Sequence, residues 1–529
     1  MLLKTQSNKM MKYLLLAVFT VASFSAFAQT NPILSCGTVH DTETLQLMNE
    51  RAAATRAFMK DNPTENRDDN ITYLPIKYHI ISRTNSNTAV PDHKVYEMHC
   101  FLNQEYAALD IQFYINDGFN RIENNNAYEN PSDVPFVMNQ NKVNNAINVY
   151  IGKNSTPPNG SGLGTTLGYY SPSNDWIVIR KDEVSDVSST FNHEMGHFLS
   201  LPHPFNGWDC TYWEEWKEEN PNADCAPQTA PCEFIPVELG DGSNCATAGD
   251  FICDTPADYN FGFANGNNCF MTHGNACDWN GAELDPMANN YMSYFEGCAQ
   301  YEFTPMQGAQ MIANSESPAR NYLMTDGGPQ STAELAAPAL VSPADGDTPE
   351  FYNSVYLDWD FVPGATRYLV QVALSDNFST GLQNYYSYNS EILIGDLNPN
   401  VGGNFQYHWR VMPLNELSTC NFSGSRSFST NSATTSVQNL STVSSFNVVP
   451  NPVAAGTSFN IDLTVSETLT ADIQVINLQG QVLVSETAQN FNQGENTLHI
   501  SAARLSAGLY FVRVSSEQGV VTRRVVVAQ

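Results

Sequence analysis

Apolar positions change their spacing several times along the chain, and each change marks a different kind of element. Residues 42–59 carry helical spacing within a polar stretch that ends at the breaker Asp61-Asn62-Pro63. Residues 73–81 alternate as in a strand, 95–109 return to helical spacing, and 111–115, 147–151 and 176–179 read as further strands. Asp186 or Ser188 is placed to cap a helix before Phe191. This αβ alternation lasts to about residue 200, after which periodicity gives way to Asn, Gly, Pro and Asp up to about residue 300. Beyond the breaker Thr325-Asp326-Gly327-Gly328-Pro329 every pattern is β. Residues 355–359, 368–373 and 407–411 alternate as sandwich strands with Trp359 and Trp409 inward, and a Ser/Thr/Asn-rich linker at 429–445 divides two modules.

Composition narrows the classes. A length of 529 residues argues for about three domains, and 42% hydrophobic residues exclude a wholly disordered chain. With 24 Lys and Arg against 55 Asp and Glu, the formal charge is −31, a field that repels phosphate backbones and anionic lipid. Nucleic acid is therefore not an expected partner, whereas oxygen ligands for calcium are plentiful.

The N-terminus reads as a targeting segment. Lys9 and Lys12 precede an apolar run at 13–21, and Ala26-Phe27-Ala28 supplies the small-residue cleavage pattern, so 1–28 is expected to be a secretory signal peptide. A lipoprotein signal ending at Cys36 fits poorly, because polar Gln29-Thr30-Asn31-Pro32 stands between that cysteine and the apolar run. Nowhere else do 18 consecutive apolar residues occur, so no transmembrane segment is expected in the mature chain. Export permits disulfides. Eight of the 11 cysteines, Cys210, Cys225, Cys232, Cys245, Cys253, Cys269, Cys277 and Cys298, fall in the aperiodic region. Structural zinc is the rival there, but no CxxC pair occurs, which favours disulfides of open connectivity.

The chemistry concentrates at His193-Glu194-Met195-Gly196-His197-Phe198-Leu199-Ser200-Leu201-Pro202-His203. On a helix His193 and His197 lie one turn apart, so both imidazoles reach one metal ion. Glu194 stands beside them and can take a proton from water. His203 follows after the chain has left the helix, helped by Pro202 and Pro204, which disfavour helical geometry in the preceding residue. Three His and a water leave zinc an open position.

These residues resemble the metzincin clan, and within it the pappalysin-like metallopeptidases. The usual motif has Gly where this chain has Ser200, at a turn that favours left-handed backbone; a non-Gly residue there costs roughly 1–2 kcal/mol. Asn290-Tyr291-Met292-Ser293-Tyr294 resembles the family's Met-turn, Phe251-Ile252-Cys253-Asp254-Thr255-Pro256 its acidic loop, and Phe303-Thr304-Pro305-Met306-Gln307 the segment after the turn. The resemblance spans about 70–320. It implies an α+β catalytic domain: a twisted sheet and active-site helix, then a loop-rich, disulfide-stapled half. It also implies one catalytic zinc on His193, His197 and His203, with Glu194 as general base. Met292 would lie beneath the metal, Tyr294 would hydrogen-bond the oxyanion, and structural calcium would sit near Asp254. Glu296, beside the Met-turn, suggests an acidic pocket for basic substrates. Cys36-Gly37-Thr38 resembles the short cysteine motif of the family's propeptides, which implies that Cys36 ligates the zinc in a latent form. Arg56 and Arg67 are candidate activation cuts, and pairing of Cys36 with Cys100 or another thiol is the alternative.

In the β tail, 335–430 resembles a fibronectin type III domain. Pro450-Asn451-Pro452, a hairpin at Gln479-Gly480, residues 505–510 with Gly508, and a terminal basic-then-apolar strand resemble the C-terminal sorting domain of the type IX secretion system. Another adhesive β-sandwich is the alternative for that stretch. The expected organisation is signal peptide 1–28, propeptide 29–69, metallopeptidase 70–325, fibronectin-like domain 335–430 and sorting domain 446–529. Its expected partners are protein or peptide substrates and the type IX secretion machinery. The expected function is that of a secreted or cell-surface zinc metalloendopeptidase made as a cysteine-latent zymogen. The rival is a non-catalytic adhesin that keeps the fold, against which an intact Glu194 argues.

Overall fold

The computed structural model describes residues 34–36, 42–62 and 71–528 apart from 159, 161–164, 233–234, 267, 273–275, 326, 333, 350–351, 396, 399–405, 431–439, 441, 478–479 and 517; for 34–36 it describes the backbone. The signal peptide, Arg67 and Gln479 lie outside the described residues.

In chain order the N-terminal unit runs β1 (Leu34–Cys36), α1 (Thr42–Asp61), β2 (Thr72–Ser82), α2 (Asp92–Tyr106), β3 (Ile111–Ile115), β4 (Asn120–Glu123), α3 (Asn125–Glu129) and α4 (Pro135–Asn141). It continues with β5 (Ile147–Gly152), β6 (Thr165–Ser171), β7 (Trp176–Arg180), α5 (Thr190–Phe198), α6 (Trp213–Glu219) and α7 (Pro305–Glu316). The sheet order is β1-β6-β7-β5-β2-β3, with β4 also paired to β2. Strands β3, β2, β5 and β7 are parallel, which explains why their apolar runs are buried on both faces. Strand β6 turns antiparallel to β7, and β1 pairs parallel to β6 at its other edge.

Three strands escape the hydrophobic pattern: β1, β4 and β6. Thr165–Ser171 reads TTLGYYS, and Gly168 interrupts its alternation. A Cβ there would meet Ile179 Cδ1 and Thr190 Cγ2 at 2.9 Å, so the glycine lets β6 lie close against β7 and the start of α5. Helix α5 is buried along its whole length. Its N-cap is Ser189, which makes no side-chain capping bond, rather than Asp186 or Ser188.

The aperiodic region folds around its own aromatic core, in which Trp208 stacks on Tyr259 at 4.9 Å and packs with Trp213, Trp216 and Phe261. Four disulfides staple it: Cys210–Cys232, Cys225–Cys277, Cys245–Cys253 and Cys269–Cys298, which use all eight expected cysteines. Cys100 pairs with Cys420 across a separation of 320 residues. The proposed alternative partner of Cys36 is thus taken, by a residue whose sequence distance gave no hint of proximity.

Residues 340–429 form a sandwich. One sheet holds Gln383–Ser387, Arg367–Ala373, Gln406–Leu414 and Arg426–Ser429; the other holds Glu391–Ile394, Val355–Trp359 and Leu340–Ser342. Trp359 and Trp409 are core residues. This sandwich is fastened to the αβ unit: Leu369, Met412 and Leu414 join the core beneath the sheet, and Ile115 N donates to Glu416 O at 2.7 Å. The C-terminal module is a second sandwich of three and five strands with a separate core. Its Arg524 pairs with Asp358 and buried Glu391 of the first sandwich.

Candidate metal centre

The helical spacing of His193 and His197 and the turn after α5 converge on one point. The Nε2 atom of His203 lies 3.0 Å from that of His197 and 3.3 Å from that of His193. All three rings are buried. Each Nδ1 has an acceptor: Tyr291 O at 2.7 Å for His193, Leu201 O at 2.8 Å for His197, and Asp209 Oδ1 at 2.6 Å for His203. The carbonyls place a proton on Nδ1 of His193 and His197, which leaves Nε2 as a lone pair. Burial, with the neighbouring His203, pushes His193 down to about 3 and His197 well below the usual histidine range, so both stay neutral. Lone pairs aimed at one point repel unless a cation sits among them. Tetrahedral zinc with Zn–N bonds of about 2.0–2.1 Å spaces its nitrogen ligands about 3.3 Å apart, so this donor set fits zinc. Among the described residues no other group of three His, Cys, Asp or Glu side chains could hold a metal.

The turn that delivers His203 has the expected left-handed residue, Ser200, at φ 74°. From the loop half comes the floor of the site. Met292 lies directly beneath α5, and an added Cβ on Gly196 would collide with its Sδ. Asn290 holds this turn, since its Oδ1 accepts from Met292 N at 2.9 Å and its Nδ2 donates to Gln307 Oε1 of α7 at 2.8 Å. Ser293 Oγ donates to Asp258 Oδ2 at 2.8 Å, and burial pushes Asp258 up to about 6. The Tyr294 ring stands 4.9 Å from His203 and 6.0 Å from His193. A pocket beside the histidines is lined by Leu167, His193, fully buried Glu194, Tyr294, Glu296 and Tyr301. Burial, with Glu183 nearby, raises the Glu296 pKa.

Other expected residues have different surroundings. Asp254 spends its oxygens on α7, accepting from Thr304 Oγ1 at 2.6 Å and Met306 N at 2.8 Å, so it anchors a helix start. Arg56 is no exposed cut site: it lies inside α1 with its guanidinium 4.5 Å over Phe251. The backbone of Cys36 belongs to β1, and its side chain lies outside the described residues. Asp209 was not among the expected residues. Its signal is a carboxylate six residues past His203, at the right remove to orient that ring.

Comparison with known proteins identifies the end of the chain. Residues 447–528 match the family model "Secretion system C-terminal sorting domain". The sorting domain indicates export through the type IX system to the cell surface or outside, and its expected partner is that secretion machinery. No curated protein matches the chain. The chain is similar to solved fibronectin-type structures. Among these are "Structure of FN3tt mut", at 19% identity over 19% of this chain and 98% of that one (TM-score 0.14), and the fn3 domain of human collagen alpha-1(XX), at 23% identity over 21% and 97% (TM-score 0.15). No described helix is long and apolar enough to cross a membrane.

Proposed function

We propose that the protein is an exported zinc metalloendopeptidase of metzincin type, with residues 335–430 as a fibronectin type III-like module. The observation that carries this reading is the convergence of three buried imidazole Nε2 atoms beside buried Glu194. His193, His197 and His203 would hold the zinc, and Asp209 and the Tyr291 and Leu201 carbonyls fix their rings. Bound zinc supplies Lewis acidity that lowers the pKa of water and polarises a peptide carbonyl.

The remaining steps belong to the protein. Glu194 takes a proton from the attacking water and passes it to the leaving amine. Tyr294, at the edge of the pocket, donates to the oxygen that becomes negative as the carbonyl carbon turns tetrahedral. The substrate lies extended between β6 on one side and the Met-turn segment on the other, both of which line the pocket. Glu296 suits a basic side chain there. Strand β1 occupies the free edge of β6, which is consistent with a latent form in which the segment bearing Cys36 covers the site.

The test uses the purified protein freed of residues 1–41. It should contain one zinc per chain and cleave an unfolded protein substrate, lose cleavage to a chelator and regain it with one equivalent of zinc. A non-catalytic adhesin would cleave nothing in any of these states.

A further inference from the structure

Helix α1 falls inside the segment expected to be removed as a propeptide, yet it is built into the turn that carries the metal ligands. Its buried face is Leu45, Met48, Ala52 and Thr55, spaced by three, four and three residues, and Met48 belongs to the core under the sheet. Thr55 is 2% exposed and its hydroxyl is fully used. It accepts from Ser200 Oγ at 3.0 Å and from Asn314 Nδ2 of α7 at 2.9 Å, and donates to Arg51 O at 3.0 Å. Gln310 Nε2, also from α7, donates to Ser200 O at 2.7 Å. The next carbonyl, that of Leu201, holds His197. On the far side of His203, Asn206 Nδ2 lies 3.3 Å from Asn49 Oδ1 of α1. Arg51 binds Pro172 O and Asp175, between β6 and β7. So α1 grips the His203 turn at both ends. Ser200 is legible in the same terms: where glycine would ease the left-handed backbone, a serine supplies the hydroxyl that α1 binds.

We propose that α1 is a resident part of the metal site. It stays bound when the chain is cut between α1 and β2, and the Thr55 hydroxyl is a positioning group for the turn that places His197 and His203. A cut that frees β1 while keeping α1 therefore lies between Cys36 and Thr42. The zinc arm of this proposal rests on the metal reading above; the retention arm does not.

The experiment uses the full protein with a specific protease site inserted after Asn62. After cutting, the piece bearing α1 is expected to co-elute with the remainder in gel filtration. Release of α1 from a remainder that stays folded would overturn retention. In the uncut protein, Thr55→Val should weaken zinc binding by about tenfold or more in chelator competition, while Thr55→Ser restores it. Met48→Ala, on the same helix face but without a bond to the turn, should lower the melting temperature and leave zinc affinity alone. Parent-like affinity in Thr55→Val, or an equal loss in Met48→Ala, would overturn the positioning role. If Thr55→Val does not fold, Ser200→Gly removes the same bond, and it should show the same loss. If the parent takes up no zinc, the metal reading fails. Thr55 is then judged by hydrogen exchange of the 199–203 amides, expected to rise about tenfold in Thr55→Val alone.

Discussion

The two halves that face each other across the pocket are held together by opposite means. In the αβ half, parallel strands β2, β5 and β7 bury apolar side chains on both faces over one large core, and the buried charge of Arg320 is met by Asp175, which also pairs with Arg51. In residues 199–304 the described chain has one short α-helix, α6, a single 3-10 turn at Cys245–Thr247 and no named strand, and its order comes from four disulfides, an aromatic cluster and buried carboxylates. The first half presents His193, His197 and Glu194 on a rigid helix. The second brings His203, Asp209, Met292 and Tyr294 on loops. A site whose groups must be held within about 0.5 Å of their working positions thus depends on covalent staples on one side and on packing on the other.

Removing a staple should show this most plainly. Replacing Cys225 and Cys277 with Ala opens a loop of 52 residues, worth about 4 kcal/mol in the chain-entropy account. The near-UV signal of the tryptophan cluster should then melt well before the far-UV signal of the sheet. Melting of both signals together at the parent temperature would contradict the division.

The next effect lies at the seam. Gly196→Ala pushes α5 against Met292, an overpacking of about 1–3 kcal/mol, and should lower both the melting temperature and the zinc affinity. Unchanged zinc affinity would mean that Met292 does not support the histidines.

Asp209→Asn leaves packing intact but weakens the hold on His203. Zinc affinity should fall about 10- to 100-fold with little change in melting temperature.

That residue also marks where the sequence stops being readable. Strand β3 and the two sandwich tryptophans follow from periodicity, because burial on a regular element leaves a repeating trace. The histidine pair on α5 is legible for the same reason. Asp209, Asp258 and the clamp from Thr55 come together through loop paths and long-range packing, with no period to record them. The Cys100–Cys420 bond was invisible for that reason too. Gly168 hid β6 from the strand pattern because the strand's value there is closeness, not a side chain.

The smallest effect separates the halves by pH. Burial would raise Asp175, but Arg320 and bonds from Tyr322 and Tyr170 hold it well below the carboxylate range, so its stabilisation is present above about pH 4 and is lost in stronger acid. Glu238 and Asp250 go the other way: burial pushes both up, helped by Asp250 beside Glu238 and by Asp254 beside Asp250, to about 9 and about 8. Their folded form is favoured below pH of about 4, and that advantage disappears as pH rises through those values. The loop half should lose stability between pH 5 and 9, and Glu238→Gln should flatten the decline. An identical slope in that variant would remove Glu238 from the account.

The central claim is that the three histidines hold the metal and that Glu194 moves the proton. Zinc content and peptide hydrolysis, measured together on Glu194→Ala and the parent, test it most directly. The variant should keep one zinc per chain and lose turnover by about 10²- to 10⁴-fold. Turnover at the parent rate, or loss of the zinc, would contradict that division of labour.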